Sequence, residues 1–265
     1  MTTQIRHVST ATPGVVAGLG AQLVLLTLLW AALRIGPSAL AAGTATAVVT
    51  CGTLGYALHR SRARTFGQAN WVTLFRATLV GGVTALVADG LVHGPTTVAI
   101  VALSVVALIL DGVDGYVARR TGTATAVGAR FDMEVDAFLI LVLSVFVAES
   151  LGPWVLLIGA MRYVFVAAGW GLPWLKGALP PSFARKTVAA AQGILLVIAS
   201  SGLLPTAGSV AVVGLALASL VWSFGRDVLW LWRSRTSQAN QIDQIEQIDR
   251  VSPDRKSEVD ALPIG

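Results

Sequence analysis

Asp111, Asp114, Asp132 and Asp136 lie in a part of the chain built mostly from Leu, Val, Ile and Ala. Ionisable groups in such surroundings are costly, and they mark cavities or ion paths. Asp111 and Asp114 are three residues apart, and Asp132 and Asp136 are four apart, so on helices each pair shares one face. Four carboxylates converging from two antiparallel helices need a compensating positive charge. A donor set made only of hard oxygen atoms favours Mg²⁺ or Mn²⁺ over softer metals.

Two glycines sharpen the pattern. Gly115 follows Asp111 by four residues and Gly128 precedes Asp132 by four, so each lies on the carboxylate face of its helix. A helical glycine costs about 1 kcal/mol relative to alanine. In return it lets a ligand or a backbone approach closely. Ala118 continues the same small face, and Arg119 and Arg120 put positive charge at its rim, which suits phosphate.

The elements that must position these groups are apolar helices. The chain of 265 residues is 55% hydrophobic and 12% charged, where ordinary globular domains carry about 25% charge. A mean hydropathy of +0.73 belongs to an integral membrane protein. Apolar stretches long enough to span fall near 14–33, 38–58, 71–92, 96–118, 129–149, 153–172, 187–203 and 208–231. The predicted fold is therefore all-α, with about eight transmembrane helices. Gly36-Pro37-Ser38, His93-Gly94-Pro95, Gly152-Pro153, Pro180-Pro181-Ser182 and Pro205 supply the turns.

Charge gives an orientation. Arg60, Arg62 and Arg64, then Arg119, Arg120 and Arg130, then Lys176, Arg185 and Lys186, then Arg233 and Arg235 fall on alternate connections, while the opposite ones hold only Arg34. The positive-inside rule places both termini and the aspartates on the cytoplasmic side. The expected location is a bacterial plasma membrane. Trp30, Trp71, Trp154, Trp170, Trp174, Trp230 and Trp232 lie near span ends, as an interfacial belt does.

The net charge of +5 comes from the membrane body, because the last thirty residues are acidic. It reads as loop charge and anionic-lipid contact, with no aromatic-basic interleaving of a nucleic-acid binder. The single cysteine, Cys51, excludes an intrachain disulfide and a cysteine zinc site, and His7, His59 and His93 have no ligand spacing. Residues 1–42 carry a signal-peptide-like order, but the apolar stretch is long for one, so an uncleaved helix is expected. Residues 236–265 are polar and low in complexity, and disorder is expected there, with a short amphipathic turn through Ile242, Ile245 and Ile248 as the alternative.

Asp111, Asp114, Gly115, Ala118, Arg119, Gly128, Asp132 and Asp136 together form D-x-x-D-G-x-x-A-R-x8-G-x3-D-x3-D. This resembles the signature of the CDP-alcohol phosphotransferases (CDP-alcohol phosphatidyltransferases), at all eight fixed positions. Asn70-Trp-Val-Thr73-Leu-Phe-Arg76 looks like that family's N-x-x-T-x-x-R segment at its first core helix, and Lys186 with Gln192 resembles a Lys/Gln pair on its fifth. The resemblance implies two N-terminal transmembrane helices with a basic loop over 1–68, a six-helix catalytic core over 69–235 and a tail over 236–265.

It also implies roles. Asp111, Asp114 and Asp132 would bind divalent metal and the donor's diphosphate. Asp136 would join the second of two metal ions and act as general base on the acceptor hydroxyl. Gly115, Ala118, Arg119 and Gly128, with Asn70 and Thr73, would surround the nucleotide. The implied reaction moves a phosphatidyl group from CDP-diacylglycerol to an alcohol and releases CMP, in a homodimer embedded in membrane lipid. Transfer of a CDP-linked headgroup to a lipid alcohol is the alternative, and a cation or proton transporter a remote one.

Three cations suggest that the acceptor carries a phosphate. Arg162 lies mid-span, where it either faces the cavity or forms a structural ion pair, and Arg185 and Lys186 lie at a helix start. Glu134 lies off the metal face and receives no role. Asp89 and Asp227, near span ends, read as interfacial.

Overall fold

The computed structural model describes residues 11–61, 68–121, 126–177, 179–180 and 182–251; at 11–13, 57–61, 68–70, 114–121, 126–127 and 236–251 it describes the backbone course only. The expected loop cations Arg62 and Arg64, the turn residue Pro181 and the tail residues 252–265 lie outside them. Among the described residues there are eight α-helices and no strand. They are α1 (Ala11–Leu33), α2 (Pro37–Ser61), α3 (Gln68–His93), α4 (Thr97–Thr121), α5 (Ala126–Leu151), α6 (Leu156–Gly171), α7 (Phe183–Ser200) and α8 (Thr206–Val251). Short 3₁₀ turns at Pro153–Val155 and Pro173–Lys176 flank α6.

Within the described residues, six of these helices are long and apolar enough to cross a membrane. α4 adds a shorter apolar run, Thr97–Val113, which ends where its described side chains end. In α5 the first three turns carry Arg130, Asp132, Glu134 and Asp136. In α5 the groups that suggest chemistry thus reduce the apolar length.

α3 is the hub. It packs against α1, α2, α4 and α5, and 72% of its apolar window is buried, against 22–33% in the other five spans. Val83, Ala85 and Leu86 are fully enclosed, beside Ile100 of α4 and Leu143 of α5. Several hydroxyl side chains inside the bundle are satisfied within their own helix. Thr78, Thr84, Ser104 and Ser144 each donate to the carbonyl four residues earlier. Such bonds let hydroxyls sit where no water is present.

The α1–α2 turn is fastened to α3. Asp89, expected at an interface, is buried and accepts a 2.7 Å hydrogen bond from the Gly36 backbone N–H, with His93 Nδ1 3.1 Å from the same oxygen. Any side chain at 36 would collide, since a Cβ there would lie 2.7 Å from the His93 ring. The first two helices are therefore docked on the core.

α8 continues to Val251, through the first part of the segment where disorder is expected. The reason is local. Residues 236–251 contain no Gly or Pro, are rich in Gln, and repeat Ile every three positions from Ile242 to Ile248. Pro253 follows two residues beyond the last helical one. At 46 residues the helix is about 69 Å long. Its apolar part is Thr206–Arg235, so the polar remainder extends past the span.

α6 approaches α5 through Gly159. A Cβ at this position would lie 2.5 Å from the Leu141 backbone Cα and 3.0 Å from Ser144 Oγ. Small residues allow this approach between membrane helices. Gly159→Ala is expected to destabilise the protein by about 1–3 kcal/mol, the usual cost of overpacking. Gly214→Ala, where a Cβ meets nothing within 4 Å, should cost nothing. Thermal unfolding in detergent checks the pair, and equal midpoints would refute the assigned contact.

Candidate active site

Asp111 sits in the second half of α4, while Asp132 and Asp136 sit in the first half of α5, on one face. One carboxylate oxygen from each lies within 4.8 Å of those of the other two. All three side chains are about one-third exposed, at 36–38%, so the cluster opens onto solvent at one end of the bundle.

A cation already stands between them. Arg76 of α3 is 1% exposed. Its Nη1 donates to Asp111 Oδ1 at 2.6 Å. Its Nη2 contacts Asp132 Oδ1 and lies 3.0 Å from Asp136 Oδ1 and 3.2 Å from the Asp132 carbonyl oxygen. One guanidinium thus ties α3 to α4 and α5. Its single charge is shared among the three carboxylates.

The fit to a divalent cation rests on this donor set. The donors are carboxylate oxygens alone, and opposite ligands of octahedral Mg²⁺ lie about 4.2 Å apart. Only one pair among three ligands can be opposite and the others must stand about 2.9 Å apart, so oxygens within 4.8 Å of one another are close enough to draw in around one ion. The guanidinium among them is further sign that this position favours positive charge.

The other expected site residues distribute as follows. Asp114, Gly115, Ala118 and Arg119 lie on the continuous helix α4 beyond Asp111, and their side chains lie outside the described residues. Asn70 opens α3 under the same restriction. Thr73 is buried one turn before Arg76, and Gly128 is half-buried one turn before Asp132.

Arg162, Arg185 and Lys186 are not brought to one place by their contacts. Arg162 of α6 grips Glu134 of α5 with both carboxylate oxygens engaged, Nη2 to Oε1 at 2.5 Å and Nε to Oε2 at 3.4 Å. Of the two possibilities open for Arg162, the geometry has the ion pair, and Glu134 gains the partner that sequence reasoning did not assign. Arg185 pairs with Asp227 of α8 at 3.3 Å and donates to the Pro180 carbonyl at 3.0 Å. Lys186 is exposed on the first turn of α7. Gln192, read together with Lys186, is buried and donates to the Ala216 carbonyl and to Ser219 Oγ, both 3.2 Å away, joining α7 to α8.

Arg76 is the residue whose place in the centre sequence reasoning missed. The signal was present: it is the only Lys or Arg between Arg64 and Arg119. The rule that drew attention to mid-span Arg162 applies to it with equal force.

Neither a curated protein nor a solved structure matches the chain. A family does: residues 66–223, from just before α3 into α8, match CDP-alcohol phosphatidyltransferase. The match takes in Asp111, Asp114, Asp132 and Asp136 and leaves α1 and α2 outside. More than half of the chain is covered, and the chain therefore belongs to the CDP-alcohol phosphatidyltransferases, divalent-metal-dependent membrane transferases that take a phosphatidyl or phosphoalcohol group from a CDP-alcohol.

Proposed function

We propose that the protein transfers the phosphatidyl group of CDP-diacylglycerol to the hydroxyl of an alcohol and releases CMP. The observation that carries this reading is the solvent-open cluster of Asp111, Asp132 and Asp136 on two helices embedded in an apolar bundle. A lipid-linked diphosphate needs such a site, with its charged part at the carboxylates and its tails in the surrounding apolar phase. Divalent ions bound there, as Mg²⁺ or Mn²⁺, would neutralise the diphosphate and the departing CMP.

The chain's own residues then have separate tasks. Asp111, Asp114 and Asp132 hold the cationic side of the diphosphate site. Gly115, Ala118 and Gly128 leave room for the nucleotide, with Asn70, Thr73 and Arg119 at its edges. Asp136 accepts the proton of the acceptor hydroxyl. The acceptor oxygen forms a bond to the phosphorus that bears diacylglycerol. The bridging P–O bond breaks, and CMP leaves with the electron pair.

The arrangement works as a six-helix core over 69–235 with α1 and α2 docked beside it, in a homodimer with the carboxylates facing the cytoplasm. Arg162 and Arg185 each have a carboxylate partner, which weakens the case for a phosphorylated acceptor. The acceptor is accordingly proposed as an alcohol without a required phosphate.

The test is CMP release by purified protein in mixed micelles with Mg²⁺. CDP-diacylglycerol is offered with glycerol 3-phosphate, inositol phosphate or serine in turn, and CDP-ethanolamine is offered with diacylglycerol. Release that needs both CDP-diacylglycerol and an acceptor supports the reading. Release only from CDP-ethanolamine with diacylglycerol would replace it with headgroup transfer.

A further inference from the structure

We propose that Arg76 is a built-in counter-cation of the carboxylate centre, which competes with divalent metal for the same oxygens and so weakens and sets the metal affinity. The inference rests on the metal reading of the cluster and adds a residue that this reading does not use.

Three observations carry it. The first is position. Both terminal nitrogens of Arg76 are directed at the oxygens a metal would take, on Asp111, Asp132 and Asp136. The second is confinement. At 1% exposure, on the most buried helix of the bundle, the guanidinium cannot swing out into water as a surface arginine would. The third is its bonding. Arg76 Nε is buried with no hydrogen-bond partner. A buried donor left unpaired costs free energy. The side chain adopts this placement because the carboxylate contacts outweigh that loss.

Electrostatics sets the sign. Without metal, three carboxylates whose oxygens lie within 4.8 Å repel one another, and the buried charge of Arg76 offsets part of that repulsion. With metal, the guanidinium becomes a like charge beside the incoming cation. It must also give up hydrogen bonds to the oxygens that become ligands. Both effects favour the metal-free centre. A purely structural clamp makes the opposite prediction, because losing it would disorganise the ligands and weaken metal binding.

The consequence is a centre that stays assembled without metal and exchanges it readily. This suits a site whose product, CMP, leaves with phosphate oxygens that also attract the cation.

The experiment measures Mn²⁺ binding to the full-length protein in detergent, without donor or acceptor, by the loss of the free-ion electron paramagnetic resonance signal. Wild type, Arg76→Gln and Arg76→Lys are compared, with thermal midpoints taken with and without Mn²⁺. Arg76→Gln is expected to bind Mn²⁺ at least about tenfold more tightly than wild type, the size expected from removing one charge beside a partly screened cation. Its metal-free midpoint should fall, and Mn²⁺ should raise it by more than in wild type. Arg76→Lys keeps a charge but not the fork, and should bind only a few-fold tighter.

If Arg76→Gln does not survive without metal, Arg76→Lys alone decides. Affinity equal to or weaker than wild type in the variants overturns the counter-cation proposal. Absence of Mn²⁺ binding to wild type would instead overturn the metal reading on which it rests.

Discussion

Asp136→Asn is expected to lower turnover by about 10²- to 10⁴-fold, the usual contribution of a general base, while donor affinity falls much less. The amide cannot take the acceptor proton, yet it retains one oxygen toward the centre. Asp111→Asn should reduce donor binding and turnover together, because Asp111 is the α4 carboxylate of the described cluster and the direct partner of Arg76 Nη1. Its loss leaves only the two α5 carboxylates in the described cluster. Donor binding and steady-state rate, measured for both variants against CDP-diacylglycerol, distinguish the two roles. Equal, mild losses in both quantities for both variants would contradict the assignment of Asp136 as base.

Chelation should have the larger effect still. Removing divalent cations is expected to bring CMP release down to the rate without enzyme, and adding Mg²⁺ or Mn²⁺ should restore it. Among the described residues the diphosphate would otherwise meet three carboxylates and one buried arginine, a net negative field that repels it. No positioning of the substrate overcomes that repulsion, since charge stabilisation provides most of the rate in phosphoryl transfer. The measurement is CMP release in chelator, followed by titration of each metal. Undiminished turnover in chelator would remove metal from the reaction altogether.

Much of the site was legible in the sequence because its ingredients are local. Asp132 and Asp136 share a face as soon as their segment is helical, and the helix is implied by the apolar run that follows them. The same holds for Asp111, Asp114 and Gly115 on α4. Helix periodicity is a property of neighbours in the chain, so spacing alone specifies which side chains stand together. Apolar length likewise located eight helices to within a few residues at most ends. The ends that moved are those where length competed with something else. α8 ran on into its polar tail because helix propensity persists after hydrophobicity stops.

The tertiary structure decided which charges meet. Arg76 is 35 residues from Asp111 and 56 from Asp132, and nothing in the spacing of α3 indicates that its cation lies at their carboxylates. Arg162 was open to a cavity-facing role or an ion pair, and only the packing of α6 on α5 brought Glu134 to it. Asp89 resembled an interfacial residue until the α1–α2 turn was laid against α3 and Gly36 N–H found it. The physical reason is the same in all three. A helix fixes the direction of a side chain relative to its own axis, whereas the partner depends on how two axes cross and rotate. That crossing is set by close packing such as Gly159 against Leu141, a contact between elements that no single segment of sequence contains.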